Sequence, residues 1–207
     1  MYSKFESLEE DKRQRILNAA MKEFAAKGYD HASTNKIVED ACIAKGLLFH
    51  YFKSKKQLFL YLYQSCVQMM SDVVLSKVDF DEADLFKRLH GVQIAKFDLI
   101  RIHPDIIEFI QGAYVEQSVE VRAELSSYGR ELLQQNSGRI FQNIDYSLFR
   151  DDIDRRSIIN TVVWAFEGFG NEYLRRAKLE GGLVDYQKMS DDADQYMAFL
   201  RKSFYKG

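Results

Sequence analysis

Between Ala41 and Ser71 the chain carries no Asp or Glu, only the cations Lys45, Lys53, Lys55 and Lys56. Leu47, Phe49, His50 and Tyr51 stand among those lysines. Such a segment suits a polyanion, because lysines neutralise phosphates and a carboxylate on the same surface would repel them. The formal charge of the whole chain is −2, yet residues 1 to 58 hold 11 Lys/Arg against 8 Asp/Glu. A basic first quarter in a near-neutral chain points to a polyanionic partner for that end. Composition alone leaves a second reading open, the wet basic face of an ordinary helical bundle.

Other chemistries find less support. His31, His50, His90 and His103 are scattered, and the last two would stand about 220° apart around a helix of 3.6 residues per turn. No H-E-x-x-H, G-x-S-x-G, P-loop or paired-cysteine pattern occurs, so neither an enzyme, a metal site nor a cofactor is expected. Cys42 and Cys66 lack zinc spacing and cannot form a disulfide framework; they read as reduced thiols of a cytoplasmic protein. Cys42 has no resolving thiol nearby in sequence, which argues against a redox role. The most apolar run, "LFLYLY" at 58 to 63, falls well short of the roughly 20 residues that span a bilayer. The N-terminus has no apolar stretch of signal-sequence type, so no membrane partner is expected.

The elements that must position the basic segment read as helices throughout. The chain has one proline, Pro104, and 11 glycines, and alternating β-branched runs are scarce, which makes the fold class all-α. Ser7-Leu8-Glu9-Glu10 has the form of a capping box, and Ile16, Leu17, Ala20 and Phe24 follow at helical spacing up to a stop at Gly28. Ser33 or Thr34 caps a short second helix with Ile37, Val38 and Ala41 inward. A third runs from Lys45 to about Phe52, and Ser54 caps a long fourth. This is the pattern of a helix-turn-helix module. In the third helix Leu48 and Phe52 anchor the core, which leaves Lys45, Gly46, Leu47, Phe49 and His50 outward.

Beyond "VDFDEAD" at 78 to 84, helical spacing recurs near 84–102, 105–117, 119–143 and 151–179. Pro104 suits a first turn and Gly181-Gly182 a stop. A last helix from Tyr186 to Phe204 carries one apolar stripe of Met189, Ala193, Tyr196, Met197, Leu200 and Phe204. Thirteen aromatics lie between Phe80 and Tyr173, most of them expected in the core. A pocket drawn from Phe97, Phe109, Tyr114, Tyr128 and Trp164 would suit a hydrophobic or aromatic small molecule. Glu167 either holds a cationic ligand, pairs across a dimer, or forms the polar edge of a half-exposed helix.

The stretch "RILNAAMKEFAAKGYDHASTNKIVEDACIAKGLLFHYFKSKKQLF" resembles the DNA-binding domain of the TetR/AcrR family of bacterial transcription regulators. The features that carry the resemblance are "AA…F…GY", "S-T-x-x-I" and "K-G-x-L-F-x-Y-F-x-S-K-x-x-L"; "WAFEGFGNEYLRR" matches more softly. The resemblance implies a helix-turn-helix DNA-binding domain at 1–53 and a ligand-binding and dimerisation domain of about nine helices at 54–207. It implies a homodimer through the last two helices that binds palindromic operator DNA, with a ligand-released repressor the commonest pattern. By motif position Ser33 and Thr34 start a helix beside a phosphate, Lys45, Gly46, Leu47, Phe49, His50 and Tyr51 lie on or next to the recognition helix, and Lys55 reaches the DNA backbone. Three departures from the pattern bear on binding, at Cys42, Ala44 and Phe49. Ala41-Cys42-Ile43-Ala44 replaces A-G-V-S, so a helix cap is missing and Cys42 stands where glycine relieves strain, and Phe49 replaces a tyrosine. DNA binding is still expected, with Tyr51 and Lys55 retaining contacts; the departures lend only modest support to the alternative, an interaction or sensor protein of the same fold that has lost specific DNA binding.

Overall fold

The computed structural model describes residues 2–180 and 184–206, and the described residues are helical with no strand apart from one isolated bridge between Phe149 and Tyr205. The helices are α1 (Ser3–Glu6), α2 (Glu10–His31), α3 (Thr34–Asp40), α4 (Lys45–Phe52), α5 (Lys55–Lys77), α6 (Leu85–Ile102), α7 (Pro104–Tyr114), α8 (Arg122–Ile140), α9 (Arg155–Glu180) and α10 (Tyr186–Phe204), with a 3₁₀ turn at Tyr146–Leu148. The expected stop at Gly181-Gly182 lies outside the described residues.

Two compact units make up the chain. The first comprises Met1–Asp72 and Ile100–Gln134, the second Val73–Leu99 and Gln135–Gly207. Compactness thus groups residues otherwise than the division at residue 53 by role. In the first unit the periodic residues Ile16, Ala20 and Phe24 of α2 meet Ile37 and Val38 of α3, Leu48 and Phe52 of α4, Leu58, Phe59 and Leu62 of α5, and Phe109 of α7 in one core. Phe24 and Phe59 pack edge to face at 4.8 Å and Phe59 meets Phe109 at 5.5 Å, a geometry that ring quadrupoles favour. The helix α5 is long and apolar enough to cross a membrane by length and composition. Its apolar residues Leu58, Phe59, Leu62, Tyr63, Cys66, Val74 and Leu75 are buried against protein instead.

Two expectations about the first long helix are corrected. Ser7 is the residue after α1, and its hydroxyl donates to the Lys4 carbonyl at 3.1 Å. The helix α2 starts at Glu10 behind Glu9, with no side-chain cap. An extra helical turn, α1, claims the serine that a capping box would have used. Gly28 does break the helical geometry, at φ +67° and ψ 179°, but a further turn continues to His31. The break leaves the Tyr29 N–H without a partner inside the helix, and the Glu116 carboxylate accepts it at 2.8 Å.

In the second unit Leu85, Phe86, Ile158, Val162, Met197 and Leu200 form the core. The "VDFDEAD" joint is held by two buried charges. Asp84 caps α6 by accepting from Phe86 N at 3.0 Å, and it takes the Tyr205 hydroxyl at 2.9 Å and Arg201 at 2.8 Å. Arg88, 2% exposed, donates to the carbonyls of Phe80, Glu82, Ile140 and Gln142. Burying a guanidinium is tolerable only with its donors satisfied, and carbonyls supply that here.

Candidate nucleic-acid interface

The helices α3 and α4 are joined by Ala41–Ala44, and local chemistry sets both ends of that turn. Ser33 caps α3, its side chain accepting from Lys36 N at 3.4 Å while its own N–H donates to Glu23 at 2.9 Å. Cys42 sits at φ +53°, a left-handed conformation that costs a residue with a Cβ roughly 1–2 kcal/mol. Ala44 is the N-cap of α4 and offers no side-chain hydrogen bond. Both departures read from the sequence therefore correspond to features of the backbone.

Leu48 and Phe52 of α4 are each 1% exposed. Fixing those two residues inward turns the rest of an eight-residue helix outward: Lys45, Gly46 and His50 are exposed, and Leu47, Phe49 and Tyr51 are half-buried. A Cβ added at Gly46 would meet nothing within 4 Å, so the helix is open on that side. The first turn of α4 carries no acid. Tyr51 packs on the Phe5 ring at 5.7 Å and on His50 at 5.7 Å. Thr34 is half-buried at the start of α3.

Lys55 is placed differently from a free phosphate-reaching cation. Its Nζ donates to the carbonyls of Asp30 at 3.1 Å and Ala32 at 3.4 Å and lies 4.7 Å from the centre of the Tyr29 ring. An ammonium has three donors, so one stays available outward. Tyr29 itself is a junction: beside its N–H on Glu116, its hydroxyl donates to Glu120 at 2.5 Å. Burial and the Glu120 hydrogen bond both push the Tyr29 phenol above its ordinary range. Lys56 pairs with Glu124 at 2.5 Å.

Three of the candidate ligand residues belong to the first unit and three to the second. Phe109 is a core ring of the first unit, Tyr114 is 56% exposed, and Tyr128 is half-buried with its hydroxyl 3.4 Å from the Gln64 carbonyl. Phe97 on α6 is half-buried, and on α9 Trp164 is 66% exposed and Glu167 exposed, all three in the second unit. A hollow of about 300 Å³ on α9 and α10 is lined by Phe169, Asp192, Gln195, Tyr196 and Phe199, none of them among the six. Among the described residues no cluster of three His, Cys, Asp or Glu is arranged to hold a metal. Burial pushes the Cys66 thiol up to about 12, which keeps it protonated and unreactive.

Sequence reasoning missed Phe5 and Tyr2 of α1. The signal was there, since Tyr2, Phe5 and Leu8 recur at three-residue spacing, but a capping box at Ser7 excluded a helix in front of it. Glu116 and Glu120 carried no signal, because their partner Tyr29 lies 87 and 91 residues away.

Comparison with known proteins fits this arrangement. Residues 16–62 match the family described as bacterial regulatory proteins, tetR family. An HTH-type transcriptional repressor AcnR of Corynebacterium efficiens is 25% identical over 171 residues, covering 82% of this chain and 85% of that one. A TetR family transcriptional regulator from Chloroflexus aurantiacus shares the fold with a TM-score of 0.66 at 23% identity, covering 99% of this chain and 98% of that one. The transcriptional regulator FadR from Bacillus subtilis, in complex with stearoyl-CoA, aligns with a TM-score of 0.67 at 18% identity over 89% of this chain and 96% of its own. With relatives that are transcriptional regulators and a helix-turn-helix whose outward face is free of acid, the N-terminal region of this chain is that of the TetR family of bacterial regulatory proteins, and the chain as a whole shares the fold of that family's solved members.

Proposed function

We propose that the protein is a ligand-responsive repressor that binds a palindromic operator as a dimer and is released by a small hydrophobic molecule. The observation that carries the DNA-binding half is the outward face of α4: Leu48 and Phe52 are buried, and every other position of the helix is a cation, an aromatic, an apolar residue or glycine. A short helix so anchored enters the major groove end-on. Lys45 meets guanine O6/N7 and Leu47 packs on a thymine methyl. His50, Tyr51, the start of α3 at Ser33 and Thr34, and the remaining donor of Lys55 set register on phosphates. Gly46 and Phe49 let the helix approach closely and shield those contacts.

Residues 1–53 carry the DNA-binding role in this reading, and 54–207 carry ligand binding and dimerisation. The dimer forms through α9 and α10, supported by Phe199, 61% exposed and stacked on Tyr196, which in turn stacks on Phe169, and by Trp164 of α9, 66% exposed; exposed apolar surface of this kind marks an interaction face. Two reading heads then contact half-sites about 34–36 Å apart. A hydrophobic effector is suggested by the stearoyl-CoA in the FadR structure of the same fold. It acts by favouring a state with badly spaced heads, for which a coupling of about 1–3 kcal/mol suffices. The setting of such a protein is the cytoplasm.

The test is binding of the full chain to labelled duplexes from upstream of its own gene and its neighbours, with nonspecific competitor and several salt concentrations. A fragment that survives competition and weakens steeply with salt is the expected result. Weak binding without preference would instead favour a sensor of the same fold whose strained, uncapped turn no longer supports reading.

A further inference from the structure

The turn before α4 is strained at Cys42, the helix has no side-chain cap at Ala44, and it ends at Lys53 with φ +57°. An eight-residue helix with neither end well terminated holds its orientation only through packing. Leu48 and Phe52 supply the inner contacts, but neither reaches around to the side that carries Tyr51. Phe5 does. It is fully buried, with its ring 4.6 Å from Phe52, 5.4 Å from Tyr61 and 5.7 Å from Tyr51. Tyr2 adds contacts of 5.7 Å to Phe52 and 4.6 Å to Tyr61. The position of α1 is itself fixed, because Arg13 of α2 donates to the Glu6 carbonyl at 3.0 Å. Tyr2, Phe5, Glu6 and Arg13 all lie N-terminal to the residues 16–62 that match the family.

We infer that α1 is part of the DNA reading head, and that Phe5 is a positioning residue which holds Tyr51 and the C-terminal turn of α4 in the orientation that binds DNA. This rests on the reading of α4 as the recognition helix. Phe5 touches no DNA; it acts through Tyr51. A four-residue helix is too short to persist alone, and it exists because two aromatic rings spaced three residues apart close over the end of α4. The segment ahead of the family match therefore governs operator affinity, and a chain beginning at Leu8 would keep the helix-turn-helix motif but hold it loosely.

A double-mutant cycle on the full chain tests this, with operator affinity measured for Phe5→Leu, Tyr51→Ala and the pair together. Leucine keeps apolar bulk, so the fold survives where alanine could empty the core. Each single variant is expected to weaken binding by roughly 10-fold, and the pair by about as much as Tyr51→Ala alone, since coupled residues are not additive. Amide exchange within α4 should quicken in Phe5→Leu without DNA, while exchange in α10 stays unchanged. Multiplying effects in the pair, or unaltered operator affinity in Phe5→Leu, would overturn the positioning role. A wild-type chain that binds no duplex at all would remove the recognition-helix reading and this inference with it.

Discussion

The backbone N–H of Tyr29 donates to the Glu116 carboxylate at 2.8 Å across 87 residues of sequence. Gly28 makes that bond possible twice over. Its φ of +67° with ψ near 180° frees the N–H from the helix, and a Cβ there would stand 3.3 Å from the same carboxylate oxygen. That combination of angles is open almost only to glycine. Gly28→Ala should therefore cost about 1–3 kcal/mol. Glu116→Ala should cost about 1–3 kcal/mol by leaving the N–H unpaired. Urea unfolding monitored by far-UV circular dichroism measures both.

The strained turn before α4 yields the opposite sign. Cys42→Gly removes a Cβ from a left-handed position and should stabilise by about 0.5–1 kcal/mol, after the entropy that glycine adds to the unfolded chain. Ala44→Ser restores a cap worth about 0.5–2 kcal/mol. Calorimetry should show a higher Tm for each variant.

Acid should unfold the second unit through Asp84. Burial by itself raises this carboxyl, but hydrogen bonds from Lys87 N and Tyr205 and the charge of Arg201 outweigh it and hold the group below the usual carboxylate range. A group depressed in the folded state stabilises above its unfolded value, about 4, and that contribution is lost as pH falls through the folded value. Asp84→Asn should thus lower stability by about 1.5–3 kcal/mol at neutral pH and flatten the decline below pH of about 4. A pH series of urea midpoints for wild type and variant checks the sign.

On DNA, the substitutions at α4 and Lys55 should separate by kind. Lys45→Ala should lose about 1–3 kcal/mol at its guanine and relax preference there. Leu47→Ala should change preference at a thymine with little effect on salt dependence. Lys55→Ala should weaken all sequences and also lower Tm, because its Nζ holds the Asp30 and Ala32 carbonyls. Fluorescence anisotropy over a salt series, paired with thermal melts, distinguishes them.

Placing a charge at the exposed Phe199 tests the dimer. Phe199→Glu should shift sedimentation at low micromolar concentration from dimer to monomer while leaving the helical signal intact.

How much of this was legible without a structure follows from the range of each interaction. Sequence alone determined the all-α class, the span of α4, the places of α3 and α5 to within a residue or two at their ends, a cap at Ser33 or Thr34, Pro104 at a first turn and the inward pair Leu48 and Phe52. All of these depend on residues within about one turn of each other, so spacing and residue type suffice. Set against the A-G-V-S turn of the family it resembles, it also pointed to the strain at Cys42 and the missing cap at Ala44. Ser7 misled because a capping box and the end of a preceding helical turn use the same residue types.

Tertiary structure alone decided that Glu116 and Glu120 meet Tyr29, that Phe5 closes over α4, that Arg88 finds four carbonyls, and that Lys55 spends two donors on the chain itself. Each joins groups far apart in sequence, where no periodicity registers the partner. The ligand-site candidates show the same limit, for an aromatic at helical spacing reads alike whether it is a core ring such as Phe109 or an exposed one such as Trp164. Periodicity reports which residues share a face of a helix, and only the packing of the other helices says what that face meets.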